Sequence, residues 1–328
     1  MSERIITYHE AIREALREEM EDDARVFLIG EDIAVYGGVY KLTEGFLEQF
    51  GPERIIDTPI AENAIIGAAT GAALMGLRPV AEIQFADFLS CGFDPLVNMT
   101  STIHYRWGQP VPLVVRAPAG ATWAMAGPFH SQSPEAWFAQ IPGLKVVIPA
   151  TPADAKGLLK AAIRDDDPVV FLEHLALYGM KGEVPDQEYV IPIGVAETKR
   201  VGKHITVVSW GRMVLECLKA ATTLAAEGVE LEVIDLRSLR PIDLSLALAS
   251  IKKTNRAIIA EEGWRSGGLG AEIAASLTEM GFNDLDAPVA RVAALEVPMP
   301  YAKNLERATL PFAEDVVAAC RAMLQKQY

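Results

Sequence analysis

The chain has only three cysteines in 328 residues, and no two of them form a Cys-x-x-Cys pair. Such sparse thiols fit neither a disulfide framework nor a cysteine-ligated zinc site, so a reducing compartment, the cytoplasm, is expected. Long hydrophobic runs are also missing, because the longest, Ala64 to Leu77, is too short to cross a bilayer. The amino terminus is charged from Glu3 onward and lacks the apolar core of a signal peptide, so we expect no membrane segment.

Positive charge is scarce. There are 30 lysines and arginines against 44 aspartates and glutamates, which gives a formal net charge of −14. This balance argues against a nucleic-acid backbone or an anionic membrane as the main partner. Hydrophobic residues make up 50% of the chain and charged residues 23%, as in ordinary globular proteins, and the length allows two domains with separate cores.

Short apolar runs and segments with helical spacing alternate along the chain, which predicts alternating strands and helices. Such an order implies parallel sheets with right-handed crossovers, so we predict an α/β fold with two doubly wound domains. The stretch from Gly179 to Gly194 is rich in glycine and proline and has little periodicity, which is typical of a linker. The expected domains are residues 1–185 and 195–328.

The segment from Asp57 to Gly76 predicts an apolar helix that begins with a carboxylate. Thr58 is the expected cap, Pro59 the expected first helical residue, and Glu62 would lie in or near the first turn. The small side chains that follow would let another helix or a cofactor approach closely. Glu62 is then either a site residue or a surface carboxylate that complements the helix dipole.

Two further segments carry candidate site residues. His130 lies in a loop predicted from Ala117 to Ser133, where a parallel sheet usually binds its ligand, although it could equally be a solvated or capping histidine. Phe85 and Phe88 follow the carboxyl end of a predicted strand, where aromatic rings could stack on a flat heterocycle or simply belong to the core.

Two glycine-rich or acidic turns are less specific. The turn from Gly263 to Gly270 follows a strand and opens a helix, but its spacing matches no dinucleotide or P-loop motif. It is therefore interpreted as a tight turn, which disfavours a nucleotide-binding dehydrogenase. The acidic run from Asp165 to Asp167 follows a helix end, where either a solvated turn or a bound cation is physically reasonable.

Several segments together resemble one family, the beta subunit of the 2-oxo acid dehydrogenase first component. This is the thiamine-diphosphate-dependent decarboxylase of pyruvate and branched-chain complexes. The resemblance covers nearly the whole chain and implies a transketolase-like pyrimidine-binding domain followed by a transketolase C-terminal domain. The segments that carry it are Gly30–Asp32, Asp57–Glu62, Gly76–Val80, His130–Ser133, Pro142–Val147, Asp154–Leu159, Ile163–Asp165 and Ile234–Arg237.

The resemblance also implies roles for individual residues. Glu62 would hydrogen-bond the pyrimidine ring of the cofactor, Phe88 would pack on that ring, and Ile60 and Gln84 would complete the cofactor contacts. His130 would be an active-site histidine that handles protons or the incoming lipoyl group. A potassium ion would be bound, largely through main-chain carbonyls, by Leu113, Ala162, Ile163, Asp165 and Asp167.

Thiamine enzymes hold the diphosphate and magnesium with a Gly-Asp-Gly segment and paired asparagines, and this sequence contains neither. The resemblance therefore implies half an active site, completed by an alpha subunit in an α2β2 tetramer, with the C-terminal domain docking the lipoyl acyltransferase. The activity expected is oxidative decarboxylation of a 2-oxo acid with acylation of the lipoyl group. A non-catalytic scaffold that only carries the acyltransferase is the alternative from another class.

Pyruvate is the first expectation for the substrate. The Glu261–Gly268 and Val297–Tyr301 segments look like those of pyruvate enzymes. The Ala81–Phe88 and His130–Ala136 segments look like those of branched-chain enzymes. A branched-chain 2-oxo acid dehydrogenase and an acetoin dehydrogenase therefore stay open.

Overall fold

The computed structural model describes residues 3–121 and 126–325, which form two compact units. The first contains residues 3–121 and 129–193, and the second contains residues 126–128 and 194–325. Residues 122–125 of the expected loop from Ala117 to Ser133 lie outside the described part. No helix within the two described ranges is long and apolar enough to cross a membrane.

The first unit alternates strands with helices, as predicted. Its strands are β1 (Glu3–Thr7), β2 (Val26–Gly30), β3 (Ile55–Asp57), β4 (Arg78–Glu82), β5 (Val114–Ala119), β6 (Lys145–Val147), β7 (Val169–His174) and β8 (Lys181–Pro185). Its helices are α1 (Tyr8–Asp22), α2 (Phe46–Phe50), α3 (Glu62–Leu74), α4 (Ser101–Trp107), α5 (Glu135–Ala139) and α6 (Pro152–Arg164). Six strands pair in parallel in the order β6-β7-β5-β4-β2-β3. The predicted parallel α/β architecture is therefore confirmed for this unit.

The prediction of a linker from Gly179 to Gly194 is wrong in part, because Lys181–Pro185 forms strand β8. This strand pairs antiparallel with β1, from Glu3 opposite Pro185 to Thr7 opposite Lys181. Local periodicity could not reveal the strand, since its partner lies at the other end of the unit. The segment from Gly179 to Gly194 thus begins as a structural part of the first unit rather than as a free connection.

Helix α1 begins with a capping box formed by Thr7 and Glu10. The Thr7 hydroxyl accepts the Glu10 backbone N–H at 3.1 Å, and the Glu10 carboxylate accepts the Thr7 N–H at 2.7 Å. The apolar face of α1 is buried, and α1 also forms ion pairs with α6. The fully buried Lys160, for example, has its ammonium 2.7 Å from Glu18.

The second unit is a smaller α/β structure. Its strands are β9 (Glu197–Arg200), β10 (Ile205–Ser209), β11 (Leu231–Asp235), β12 (Ser238–Arg240), β13 (Ala257–Trp264) and β14 (Ala290–Ala294). Its helices are α7 (Arg212–Ala225), α8 (Ser245–Thr254), α9 (Leu269–Gly281), α10 (Lys303–Thr309) and α11 (Ala313–Gln325). The sheet order is β14-β13-β10-β11-β9, parallel except for β9. The antiparallel edge strand and the last two helices were not predicted from the sequence.

The glycine-rich turn that precedes α9 is bound by the buried carboxylate of Glu261. Glu261 is 1% exposed, accepts the Gly270 N–H at 2.9 Å and pairs with Arg291 at 2.7 Å. A side chain at Gly270 would have its Cβ 2.3 Å from a Glu261 oxygen. This internal anion occupies the amino end of α9, where a phosphate would otherwise bind, so the interpretation as a tight turn is supported.

Candidate active site

The carboxyl ends of three neighbouring strands bring the candidate residues of the first unit to one edge of its sheet. Gly30, at the end of β2, is in register with Asp57 of β3 and with Glu82 of β4. The segments that carry Glu31, Glu62 and Gln84 therefore start from the same edge. Open parallel sheets bind ligands at this edge, because the loops there diverge around a crevice.

Helix α3 begins later than predicted, at Glu62 itself. Its N-cap is Ala61, whose side chain cannot cap, so Thr58 and Pro59 are not part of the helix. Thr58 instead donates its backbone N–H to the Gly30 carbonyl at 2.9 Å, which ties the segment to the end of β2. Glu62 lies in the first turn, as predicted, and is partly exposed. Ile60, two residues earlier, is 82% exposed.

Gln84 and Glu31 place two unpaired oxygens beside this helix start. The Gln84 amide donates through Nε2 to the Glu31 carbonyl at 2.6 Å, and both side chains are less than 9% exposed. Gln84 Oε1 and Glu31 Oε1 are buried, and within the described residues neither has a hydrogen-bond partner. Buried polar atoms are nearly always paired, so these two indicate a place for a polar ligand. The sequence analysis assigned Glu31 no role.

The carboxyl groups of Glu31 and Glu62 interact electrostatically. Burial raises the pKa of Glu31, and the negative charges of Glu62 and Asp32 raise it further. A carboxyl pKa that is raised by burial and by neighbouring negative charge is common at functional sites. Two interacting carboxyl groups therefore lie at this edge of the sheet, one directly after β2 and one in the first turn of α3.

Three aromatic rings meet next to these polar groups. The His130 imidazole lies edge-on to Phe85 and to Phe88, with ring centroids 4.6 Å and 5.3 Å apart and interplanar angles of 87° and 81°. The two phenylalanine rings are 5.9 Å apart at 84°. Tyr40 meets Phe85 from the other side at 6.2 Å. The structure therefore brings the predicted Phe88 and His130 together and adds Tyr40, which no local pattern indicated.

Asp87 lies between the two phenylalanines in a 3₁₀ turn at Ala86–Ser90 and is 5% exposed. Burial raises the pKa of its carboxyl group, while hydrogen bonding from Gln132 and the charge of His130 act in the opposite direction. Gln132 also accepts the Gly120 N–H through its carbonyl at 2.8 Å. The Gly120–Gln132 hydrogen bond thereby joins the two ends of the His130 loop to each other.

A buried ionic cluster underlies the aromatic rings. The Arg116 guanidinium, 1% exposed, donates to both carboxylate oxygens of Glu173 at 2.6 and 2.8 Å and also to Glu82. The Tyr178 hydroxyl donates to Glu173, and its ring meets Tyr40 at 5.3 Å. Burial alone would lower the pKa of Arg116, but the two carboxylates raise it, so the guanidinium stays protonated.

The five residues implied as potassium ligands lie around the end of α6, where the helix carbonyls emerge. Leu113 O accepts the Val169 N–H at 2.9 Å, Ala162 O accepts the Asp165 N–H at 3.3 Å, and Ile163 O accepts from Arg78 at 3.4 Å. Lys145 lies 2.7 Å from Asp165 and 3.2 Å from Asp167.

The acidic side chains at this helix end already have cationic partners. His104 Nδ1 lies 2.6 Å from Asp167 Oδ1. Burial alone would raise the pKa of Asp167, but hydrogen bonds from His104 and Lys145 lower it. In the described part of the chain, no three His, Cys, Asp or Glu side chains are grouped as a metal site would require. Any cation here would therefore depend on the main-chain carbonyls.

Comparisons with known proteins agree with this geometry. The transketolase pyrimidine-binding domain matches residues 4–181, and the transketolase C-terminal domain matches residues 194–316. The mitochondrial pyruvate dehydrogenase E1 component subunit beta of Dictyostelium discoideum is 45% identical over 327 residues, covering 98% of this chain and 92% of that protein. The 2-oxoisovalerate dehydrogenase subunit beta of Bacillus subtilis is also 45% identical over 327 residues, covering 98% and 99%.

A third relative is the mitochondrial pyruvate dehydrogenase E1 component subunit beta-2 of Oryza sativa, 48% identical over 322 residues, covering 96% of this chain and 85% of that protein. A solved structure described as a split gene transketolase, an inactive beta4 tetramer, aligns with a TM-score of 0.80 and 26% identity over 98% of this chain and 99% of that one. The family predicted from the sequence is thus confirmed: the chain belongs to the beta subunits of the 2-oxo acid dehydrogenase first component, with transketolase-type pyrimidine-binding and C-terminal domains.

Proposed function

We propose that this chain supplies the pyrimidine-binding half of a thiamine-diphosphate-dependent decarboxylase site that acts on pyruvate. One observation carries the proposal. The buried, unpaired oxygens of Gln84 and Glu31 lie at the sheet edge that also presents Glu62, next to an open group of aromatic rings. Polar acceptors beside an aromatic surface suit a flat, amino-bearing heterocycle.

Each residue of the candidate site can take a role that fits its chemistry. Glu62 would hold a hydrogen bond to a pyrimidine ring nitrogen, the Gln84 oxygen would accept an N–H, and Phe88 would pack against the ring. His130, fixed between two phenylalanines, would hold or move a proton at the substrate side of the site. When bound, thiamine diphosphate supplies the electron sink that permits loss of carbon dioxide from a 2-oxo acid.

The sequence offers no Gly-Asp-Gly segment and no paired asparagines for a diphosphate and its magnesium. We therefore propose that an alpha subunit holds them in an α2β2 heterotetramer, and that the C-terminal domain docks the lipoyl acyltransferase. The catalytic role then exists only in the assembled complex. A potassium ion bound by the main-chain carbonyls near the end of α6 is part of the same proposal.

A branched-chain 2-oxo acid is the second candidate substrate. The Ala81–Phe88 segment, which contains Gln84 and the aromatic residues of the site, looks like that of branched-chain enzymes. The similarity to the Bacillus subtilis 2-oxoisovalerate dehydrogenase subunit beta points the same way. The segments in the second unit and the other relatives named above favour pyruvate instead. Acetoin remains a third candidate.

The deciding experiment is decarboxylation after co-expression with the alpha partner. Release of carbon dioxide from pyruvate and from 2-oxoisovalerate, and release of acetaldehyde from acetoin with an oxidised lipoyl group as the acetyl acceptor, are compared in the presence of thiamine diphosphate and magnesium. The chain alone is the control. Activity only in the complex, with pyruvate preferred, is the expected result. Activity of the chain alone would contradict the need for an alpha subunit. A complex that binds the cofactor without turnover of any substrate would contradict the catalytic role and would favour the scaffold role.

A further inference from the structure

The proposed chemistry needs Glu62 and Phe88 at a fixed separation, yet these residues lie on different elements. Glu62 opens α3, whereas Phe88 lies in the 3₁₀ turn that follows β4. We propose that Gly92 is the positioning residue that sets this separation. The inference rests on the proposed function and concerns a residue that touches neither the cofactor nor the substrate.

Gly92 packs directly on the first turn of α3. A Cβ added at this position would lie 2.3 Å from Ile66 Cδ1 and 3.3 Å from the Glu62 carbonyl oxygen. Ile66 is 0% exposed, so its ethyl group is enclosed by other atoms and has little room to turn away. A side chain at position 92 would therefore push the turn that carries Glu62, or be pushed by it.

Gly92 is also tied to Phe88 by a short ladder of hydrogen bonds. The Phe88 N–H donates to Phe85 O at 3.0 Å, and the Cys91 N–H donates to Phe88 O at 2.9 Å. The Gly92 N–H then donates to Leu89 O at 3.1 Å. Because these bonds follow one another along the turn, a displacement of Gly92 is passed to the Phe88 ring rather than absorbed between them.

The reason for glycine at this position is space rather than backbone conformation. Gly92 is not in the left-handed region, unlike Gly76 and Gly108 on either side of it in the chain. By contrast, a Cβ added at Gly67 or Gly71, on α3 itself, would meet no atom of the described residues within 4 Å. The close approach is thus specific to the contact that joins the Phe88 turn to the Glu62 turn.

The steric origin allows a rescue experiment. In the complex with the alpha partner, Gly92→Ala should weaken thiamine diphosphate binding about tenfold, as expected for one extra methyl group in a packed contact. The variant Ile66→Val removes Cδ1, the atom that the new Cβ would strike. The double variant Gly92→Ala/Ile66→Val should therefore bind within about twofold of the wild type.

Binding is measured by equilibrium dialysis of thiamine diphosphate, and the melting temperature of each cofactor-free complex is recorded in parallel. Ile66→Val alone reports the cost of the lost methyl group. Gly179→Ala is the matched glycine control, because its Cβ would meet no described atom within 4 Å and its backbone is not left-handed. This control should leave both measurements unchanged.

Unchanged cofactor affinity in Gly92→Ala, even with a lower melting temperature, would overturn the inference and show a merely structural contact. Failure of Ile66→Val to restore binding would also overturn it. If Gly92→Ala does not assemble, the double variant decides alone, since tight binding supports the inference and weak binding refutes it. A wild-type complex that binds no thiamine diphosphate would instead refute the proposed function, and this inference with it.

Discussion

Replacement of Arg116 by methionine would leave the carboxyl groups of Glu82 and Glu173 buried without their cation. In the wild type, Arg116 donates to both, and the Tyr178 hydroxyl is a further donor to Glu173. Methionine can occupy much of the same volume but offers no N–H group. The variant therefore tests electrostatics more than packing.

The magnitude follows from the burial of all three groups. Arg116, Glu82 and Glu173 are 1%, 6% and 0% exposed, so solvent screens their interaction little. Removal of one partner from a buried ion pair costs about 3–5 kcal/mol of unfolding free energy. For a unit of this size, each kcal/mol lowers the melting temperature by about 2–4 °C, which gives a decrease of roughly 10 °C.

The loss should depend on pH with a defined sign. In the wild type, burial and the Glu173 charge already raise the pKa of Glu82, while Arg116 opposes them. Without Arg116, the folded-state pKa of Glu82 should lie further above its unfolded value of about 4.3. Stability from a raised carboxyl pKa is present below the unfolded pKa and is lost as pH rises toward the folded pKa. The difference between variant and wild type should therefore be smaller at pH 5 than at pH 8.

Thermal unfolding followed by circular dichroism at both pH values is the assay. Arg25→Met is the matched control, because Arg25 is 59% exposed in its side chain and pairs with Asp23 at the surface at 2.7 Å. Its melting temperature should stay close to that of the wild type, because a solvent-exposed ion pair contributes little to stability. If Arg116→Met were as stable as this control at pH 8, the argument that a buried cation holds the cluster together would be refuted.

Three further predictions concern the proposed site and the thiols. Glu62→Gln should leave assembly with the alpha partner intact but lower decarboxylation by at least about 10²-fold, and unchanged turnover would contradict a catalytic role. Cys91 is exposed, whereas burial raises the pKa of Cys217 and Cys320 to about 12. A maleimide should therefore modify one thiol in the native chain and three after unfolding. Modification of two thiols in the native chain would contradict this prediction. If the α6 carbonyls bind potassium, its replacement by tetramethylammonium should lower the melting temperature, and an identical melting temperature would count against the site.

Local sequence signals predicted much of the fold. The alternation of strands and helices is present as expected. The start of α3 was placed three residues too early, because a sequence such as Thr58-Pro59 can cap a helix but does not have to. In the structure, the Thr58 N–H is instead bonded to the end of β2, a contact that sequence spacing cannot show. Strand β8 was missed for a similar reason, since its partner β1 is distant in sequence.

The candidate site was predicted only in part. Local patterns indicated Glu62, Phe88 and His130 as candidates and a family resemblance supplied their roles; the structure places Phe88 and His130 in contact. Tyr40 lies in a loop without periodicity, and its approach to Phe85 depends on the whole fold. The signal that could have indicated the ionic cluster is the presence of charged residues within buried strands, such as Arg116 in β5, where desolvation requires a partner.

The pairing of β1 with β8 bears on how the protein is made. The strand partner of residues 3–7, at residues 181–185, is synthesised about 10 to 40 s after them at ordinary translation rates. Until then, β1 is an unpaired edge, so the nascent first unit cannot close. A chain truncated before residue 181 should therefore be a substrate for chaperones and prone to aggregation, whereas one that ends after residue 193 should complete the first unit.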